Sequence, residues 1–150
     1  SCIQLLRKIR FMPDLPQSEK DTCSKIIGDS MMELINKEKS VLYSGAEEVL
    51  QNLKECGHNL IFLSNCMHDY MEAHRKVHCL DRFYCDFYCT EDFGFKSKPE
   101  IFTSIAKKHT GDFIIIGDRY LDLETAWKHN HKSIGCTYGY CCYLTCKTQK

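Results

Sequence analysis

From residue 42 onward, short apolar runs alternate with segments of amphipathic helical pattern, and this alternation is the feature that most constrains the fold. Four runs are predicted strands because they are short, apolar and bounded by polar or turn-forming residues. They lie at residues 59–63, 87–89, 113–116 and 133–136. Predicted helices lie at residues 45–57, 68–77, 99–109 and 121–129. Strands that alternate with helices in this way predict an α/β fold, a parallel sheet with helices on both faces.

The run at residues 113–116 is apolar throughout, with no polar alternation. Strands of parallel sheets show this pattern when helices cover both of their faces. We therefore expect both faces of this strand to be buried.

The first 40 residues have a different pattern and contain no predicted strand. A helical pattern at residues 2–11 is ended by Pro13 and Pro16, because proline cannot continue a helix. A second helix is predicted at residues 18–37. The sequence therefore predicts a small helical section over residues 1–40 and an α/β section over residues 41–150.

Charge and hydropathy exclude two classes of partner. Lys plus Arg and Asp plus Glu number 20 each, so the chain has no net positive charge to attract nucleic acid. The longest apolar runs fall far short of the roughly 20 residues that a membrane-spanning helix needs. The start of the chain lacks the pattern of a signal peptide, so the eleven cysteines are expected to be reduced thiols in a cytoplasmic protein.

Polar side chains follow three of the predicted strands. These are Ser64 and Asn65 after the first strand, Lys96 and Lys98 after the second, and Asp118 and Asp122 after the third. Ligands of open parallel sheets bind beyond the carboxyl ends of the strands, so these residues are candidates for one site. A hydroxyl, an amide, ammonium groups and carboxylates together suit phosphoryl transfer, in which Mg²⁺ and positive side chains neutralise the phosphate oxygens.

Each of these residues also has a structural interpretation. A serine after a strand is most often a turn or cap residue, and a Lys-Pro pair at a helix start is more often solvated than catalytic. An aspartate directly after a glycine, as Asp118 is, is commonly a helix cap. The alternative for Asp122 is a side chain that simply faces the solvent. Only the order and spacing of all three groups together indicate a site.

Residues 41–140 resemble the core of a phosphoglycolate-phosphatase-like member of the haloacid dehalogenase superfamily. The resemblance rests on five segments in the order that the family has: Leu-Tyr-Ser-Gly at residues 42–45, Phe-Leu-Ser-Asn at 62–65, Lys-Pro-Glu-Ile-Phe at 98–102, Ile-Gly-Asp-Arg-Tyr-Leu-Asp at 116–122 and Ile-Gly-Cys-Thr-Tyr-Gly-Tyr at 134–140. It implies an Mg²⁺-dependent phosphatase of small phosphorylated metabolites with a Rossmann-like sheet.

The resemblance also assigns roles to residues. Ser64 would hydrogen-bond the transferring phosphoryl group, and Asn65 would assist from the adjoining loop. Lys98, which has the family's Lys-Pro context that Lys96 lacks, would stabilise the phosphoaspartyl charge. The remaining two roles concern the metal: Asp118 would ligate Mg²⁺, and Asp122 would support it through water or as a second acidic group.

The family's first motif, an apolar strand that ends in Asp-x-Asp and supplies the nucleophile, has no counterpart among the 150 residues. The best imitation is Asp29, which lies in a helical pattern and is predicted to be a helix residue. Without the aspartate nucleophile, no phosphoaspartyl intermediate forms. This chain alone is therefore expected to be inactive.

By the resemblance, the missing strand lies in the middle of the sheet, between the strands that end at Leu63 and Ile116. Its absence would expose two apolar strand edges, which favours self-association. One explanation is an N-terminally shortened product, with residues 1–40 a remnant of the family's helical cap. The alternative is a natural, catalytically inactive relative that acts as a phosphate- or protein-binding module.

Overall fold

A computed structural model describes residues 15–37 and 42–139. The predicted helix at residues 2–11 lies outside these ranges. So does most of the region near residue 40, where the helical section was predicted to meet the α/β section. The chain divides into two compact units, residues 1–95 and residues 96–150. The division into a helical section over residues 1–40 and an α/β section over residues 41–150 stays a prediction.

The described part of the N-terminal unit, residues 15–37 and 42–95, contains three helices and two strands. In chain order these are α1 (Gln17–Asn36), α2 (Ala46–Glu55), β1 (Leu60–Ser64), α3 (His68–Val77) and β2 (Tyr84–Cys89). Two single 3₁₀ turns, Leu80–Arg82 and Glu91–Phe93, precede and follow β2. Strands β1 and β2 pair in parallel, with Ser64 opposite Cys89 at their carboxyl ends. The buried cluster of Cys66, Met71 and Cys89 lies beyond and beside this end of the pair.

Within residues 96–139, the described part of the C-terminal unit, there are two helices and two strands. They are α4 (Lys98–Lys108), β3 (Ile114–Gly117), α5 (Tyr120–Lys128) and β4 (Lys132–Gly135). Strands β3 and β4 are parallel, with Gly117 opposite Gly135. The α4 side chains of Ile101 and Ile105 are almost completely buried, and so is Ala126 on α5. These side chains form the apolar contact by which α4 packs on α5.

The described strands are all parallel and alternate with helices, so the fold is of the predicted α/β class. The predicted and observed elements differ by a few residues at their ends, and α3 has the predicted span. The strands form two two-stranded sheets, β1–β2 and β3–β4, rather than one continuous sheet.

The prediction that both faces of β3 are buried is wrong. Ile114 and Ile116 are 55% and 53% exposed, whereas α5 packs on the strand. Alternate side chains of a strand point to opposite faces, so these two isoleucines share the uncovered one. An apolar run indicates that both faces are suited to burial, but it carries no information on which partner covers each face.

Asp29 lies within α1 and is exposed, so its prediction as a helix residue is confirmed. Within the described ranges, no helix combines the length and the apolar character needed to cross a bilayer. The cytoplasmic location stays a prediction.

Candidate active site

A nearly buried ion pair joins the first turns of α4 and α5. Lys98 is the first residue of α4, and its Nζ lies 2.5 Å from Oδ1 of Asp122 in the first turn of α5. The two side chains are only 13% and 9% exposed. Lys96, the other candidate lysine, is exposed. The structure thus brings together two of the predicted site residues that are far apart in sequence.

The second carboxylate oxygen of Asp122 is also engaged. Its Oδ2 accepts a hydrogen bond from the backbone N–H of Arg119 at 3.2 Å, which caps the start of α5. Each carboxylate oxygen has two lone pairs, so Asp122 keeps capacity to accept from a water molecule as well. Asp122 therefore holds Lys98, caps α5 and leaves room for a further hydrogen bond.

Two glycines allow the backbone to approach the two aspartates closely. A Cβ atom at Gly117, the last residue of β3, would overlap the side chain of Asp122. A Cβ atom at Gly139, in the turn after β4, would overlap the side chain of Asp118. Half-buried Asp118 follows β3 directly. The carboxylates therefore lie against backbone that has no side chain in the way. Both glycines lie in segments that carry the family resemblance, at residues 116–122 and 134–140.

Ser64 and Asn65 belong to the N-terminal unit and lie at the carboxyl end of β1. Both are partly buried. The backbone C=O of Ser64 accepts a hydrogen bond from the N–H of Thr90 at 3.1 Å, which fixes the end of β1 against the residue that follows β2. Lys98, Asp118 and Asp122 belong to the C-terminal unit.

The loop after β1 is tied to the turn after β2 by side chains as well. The backbone N–H of His68 donates to Glu91 Oε2 at 2.6 Å, and His68 Nδ1 lies 2.9 Å from Asp92 Oδ1. Cys89 is completely buried beside them, and its desolvation raises the pKa of the thiol to about 11. No motif indicated this group of residues, because its members come from separate elements with no regular spacing.

The sequence model of the family described as "Haloacid dehalogenase-like hydrolase" matches residues 3–136. The chain belongs to this family. Two solved structures have a fold similar to that of this chain. The chain superposes on a candidate phosphatase from Clostridium difficile with a TM-score of 0.62 and 24% identity, and on a hydrolase from Streptococcus pneumoniae TIGR4 with a TM-score of 0.60 and 18% identity.

The chain is shorter than both of these solved chains. The first superposition covers 69% of this chain and 50% of the Clostridium difficile chain, and the second covers 89% of this chain and 71% of the Streptococcus pneumoniae chain. At these identities the likeness establishes the fold. None of the curated proteins compared matches the chain.

In this member of the family, a capping box positions the helix that begins with Lys98. Glu100 Oε2 accepts hydrogen bonds from the backbone N–H of Ser97, at 3.0 Å, and from its hydroxyl. These two bonds stabilise the charged carboxylate and hold the pKa of Glu100 below its ordinary value. The start of α4 is therefore defined by side-chain contacts, which fixes the origin of the Lys98 side chain.

Replacing Ser97 by Ala is expected to raise the pKa of Glu100 toward its ordinary value, because the hydroxyl that stabilises the carboxylate is lost. A lowered folded-state pKa contributes stability above the unfolded-state pKa, near 4.3, and this contribution is lost as the pH falls through the folded-state value. The variant should therefore lose less stability between pH 5 and pH 3 than the unaltered chain. Carboxyl NMR titration measures the pKa directly, with Asp112→Asn, which changes an exposed carboxylate of the same unit, as a control; an unchanged pKa for Glu100 would contradict the assignment.

Proposed function

We propose that this chain carries the phosphate- and magnesium-binding residues of a phosphatase of small phosphorylated metabolites. The observation that supports this most is the buried Lys98–Asp122 ion pair in the same unit as Asp118. A cation and carboxylates held at helix starts, next to the end of a parallel strand, form a site suited to an anion and a divalent metal.

The donors present fit Mg²⁺, which prefers hard oxygen ligands and binds through one or two carboxylates plus phosphate oxygens and water. Asp118 is the proposed direct ligand, since it follows β3 and its side chain lies against the backbone of Gly139. Asp122 is the proposed indirect support through water, since both of its oxygens already accept hydrogen bonds within the protein. When bound, Mg²⁺ would neutralise charge on the phosphoryl oxygens.

Three other side chains would bind and orient the phosphoryl group. The Ser64 hydroxyl and the Asn65 amide would donate hydrogen bonds to its oxygens. Lys98 would offset its negative charge, held in position by Asp122 and by the capping box at Ser97. Charge-assisted hydrogen bonds of this kind are stronger than neutral ones, so a few such contacts suffice to hold phosphate.

Turnover requires a nucleophile that the described residues do not provide. No Asp-x-Asp occurs in the sequence, and Asp29 lies on an exposed face of helix α1. We therefore propose that this chain alone binds phosphate and Mg²⁺ without hydrolysing a phosphate ester. A binding module built on the same fold is the second candidate function, and it is favoured by this combination of retained binding residues and an absent nucleophile.

Replacing Asp118 by Ala is expected to abolish the effect of Mg²⁺ on phosphate binding. In the unaltered chain, Mg²⁺ should tighten the binding of inorganic phosphate by at least about fivefold, the usual lower range for coupling between two ligands. Isothermal titration of phosphate with and without Mg²⁺ measures this factor.

The matched control is Asp112→Ala, which removes an exposed carboxylate from the same unit. It should leave the Mg²⁺ effect unchanged. A coupling factor that is the same in Asp118→Ala as in the unaltered chain would refute the assignment of Asp118.

A further inference from the structure

Three side chains with metal-binding atoms converge in the N-terminal unit, apart from the residues assigned above. His68 is the first residue of α3, Cys89 is the last residue of β2, and Asp92 lies in the 3₁₀ turn that follows. One nitrogen, one sulfur and one oxygen from these residues all lie within 4.8 Å of one another. They are held in place by backbone pairing of β1 with β2 and by the contacts of the two loops.

The type of donor atoms selects the metal. Imidazole nitrogen, thiolate sulfur and carboxylate oxygen together are the ligands of Zn²⁺ and similar transition metals, whereas Mg²⁺ takes hard oxygen ligands. Bonds of roughly 2.0–2.3 Å in a tetrahedral site place donor atoms roughly 3.5 Å apart. The observed spacing, including 2.9 Å between His68 Nδ1 and Asp92 Oδ1, reaches this geometry by small side-chain rotations.

The three residues differ in how far their side chains are exposed to solvent. Cys89 is completely buried, whereas the side chains of His68 and Asp92 are 50% and 38% exposed. Cys89 therefore supplies the donor atom on the buried side of the group, and His68 and Asp92 supply the donors on the solvent side. The next residue, Thr90, has a buried hydroxyl with no hydrogen-bond partner in the described part of the chain.

We propose that His68, Cys89 and Asp92 form a zinc site with three protein ligands and one open position. Binding forms three coordinate bonds and releases the thiol proton of Cys89 to solvent, because thiolate is the ligand. Cys66 packs in the same buried cluster as Cys89.

Occupancy of this site has a local consequence. His68 follows the loop that carries Ser64 and Asn65, and Cys89 and Asp92 flank the turn after β2. One ion would connect these two segments directly, in addition to the hydrogen bonds and the buried contacts that already join them. Zinc would thereby fix the loop proposed to hold phosphate.

A test must separate this site from other zinc ligands of the chain. His74 on α3 and His78, the residue that follows α3, have stacked rings at a centroid distance of 5.7 Å, and four cysteines lie outside the described residues. Co²⁺ distinguishes them, because it occupies zinc sites and its absorption spectrum reports both thiolate ligation and tetrahedral geometry. A site made of His74 and His78 alone gives no thiolate band.

The experiment titrates the full chain with Co²⁺ under reducing conditions and then displaces Co²⁺ with Zn²⁺. The unaltered chain is expected to show a thiolate absorption band with Co²⁺. Cys89→Ser and His68→Gln should each remove the part of this band that one bound Co²⁺ contributes. Each should also weaken Zn²⁺ binding by at least about tenfold, the effect that loss of even a supporting contact has on metal affinity. Cys85→Ser, which changes an exposed cysteine on the same strand, is the matched control and should retain the full band.

His68→Gln changes a half-exposed side chain, so it decides the outcome if the buried Cys89→Ser variant fails to fold as judged by circular dichroism. A spectrum and Zn²⁺ affinity that His68→Gln leaves unchanged would overturn the proposal. The readout contains neither Mg²⁺ nor phosphate, so its failure leaves the proposed function untouched.

Discussion

A chain extended at its N-terminus by an apolar strand ending in Asp-x-Asp is expected to hydrolyse an aryl phosphate with Mg²⁺, whereas the chain itself is expected to show no turnover. The sequence contains no Asp-x-Asp, and Asp29 lies in helix α1. Removal of the nucleophile from a well-studied hydrolase lowers turnover by about 10⁶-fold, so supplying one here should have a correspondingly large effect. Release of the aryl alcohol, followed by absorbance, measures it.

The matched control carries the same added strand with Asn-x-Asn in place of Asp-x-Asp. It supplies the backbone of the strand without the nucleophile, so it should remain inactive. Turnover by the unextended chain would contradict the assignment of the missing nucleophile. Inactivity of every form would favour the phosphate- or protein-binding module over the phosphatase.

Replacing Lys98 by Met is expected to destabilise the C-terminal unit by about 3 kcal/mol, because it leaves the buried charge of Asp122 without its cation. Loss of one partner of a buried ion pair costs about 3–5 kcal/mol, and the slight exposure of both side chains favours the lower end of this range. Denaturant unfolding at pH 7 measures the change. Exposed Lys96→Met is the control and should change stability by less than about 0.5 kcal/mol.

A double-mutant cycle isolates the interaction between the two side chains. Asp122→Asn removes the charge and keeps an oxygen that accepts the hydrogen bond from Arg119, so the cap of α5 is retained. The coupling energy between Lys98→Met and Asp122→Asn should be about 0.5–3 kcal/mol, as for residues in direct contact. A coupling energy near zero would show that the ion pair contributes no stability in solution.

The secondary structure could be predicted from the sequence because its signals are local. The helix at residues 68–77 begins and ends where the amphipathic pattern does, and Gly57 has the positive φ of 86° that its position after α2 implies. The parallel orientation of the strands followed from the helices between them. The exposed face of β3 could not be predicted in this way, since burial depends on which other element covers each face.

The candidate site could be predicted in part. Lys98, Asp118 and Asp122 were identified by their place after strands and by the family resemblance, but their contacts were not. The overlap that a side chain at Gly139 would cause with Asp118, and the convergence of His68 with Cys89 and Asp92, depend on chain segments that meet only after folding. No periodicity or spacing along the chain predicts which of these segments come into contact.

The pairing of strands within each unit bears on how the chain folds. In both units the paired strands are neighbours in sequence, separated by one helix and its loops. Little loop-closure entropy is lost when such strands meet, and folding rates rise as contacting residues come closer together in sequence. Because its own strands are paired within residues 1–95, the first unit can acquire structure during synthesis before the second has been translated.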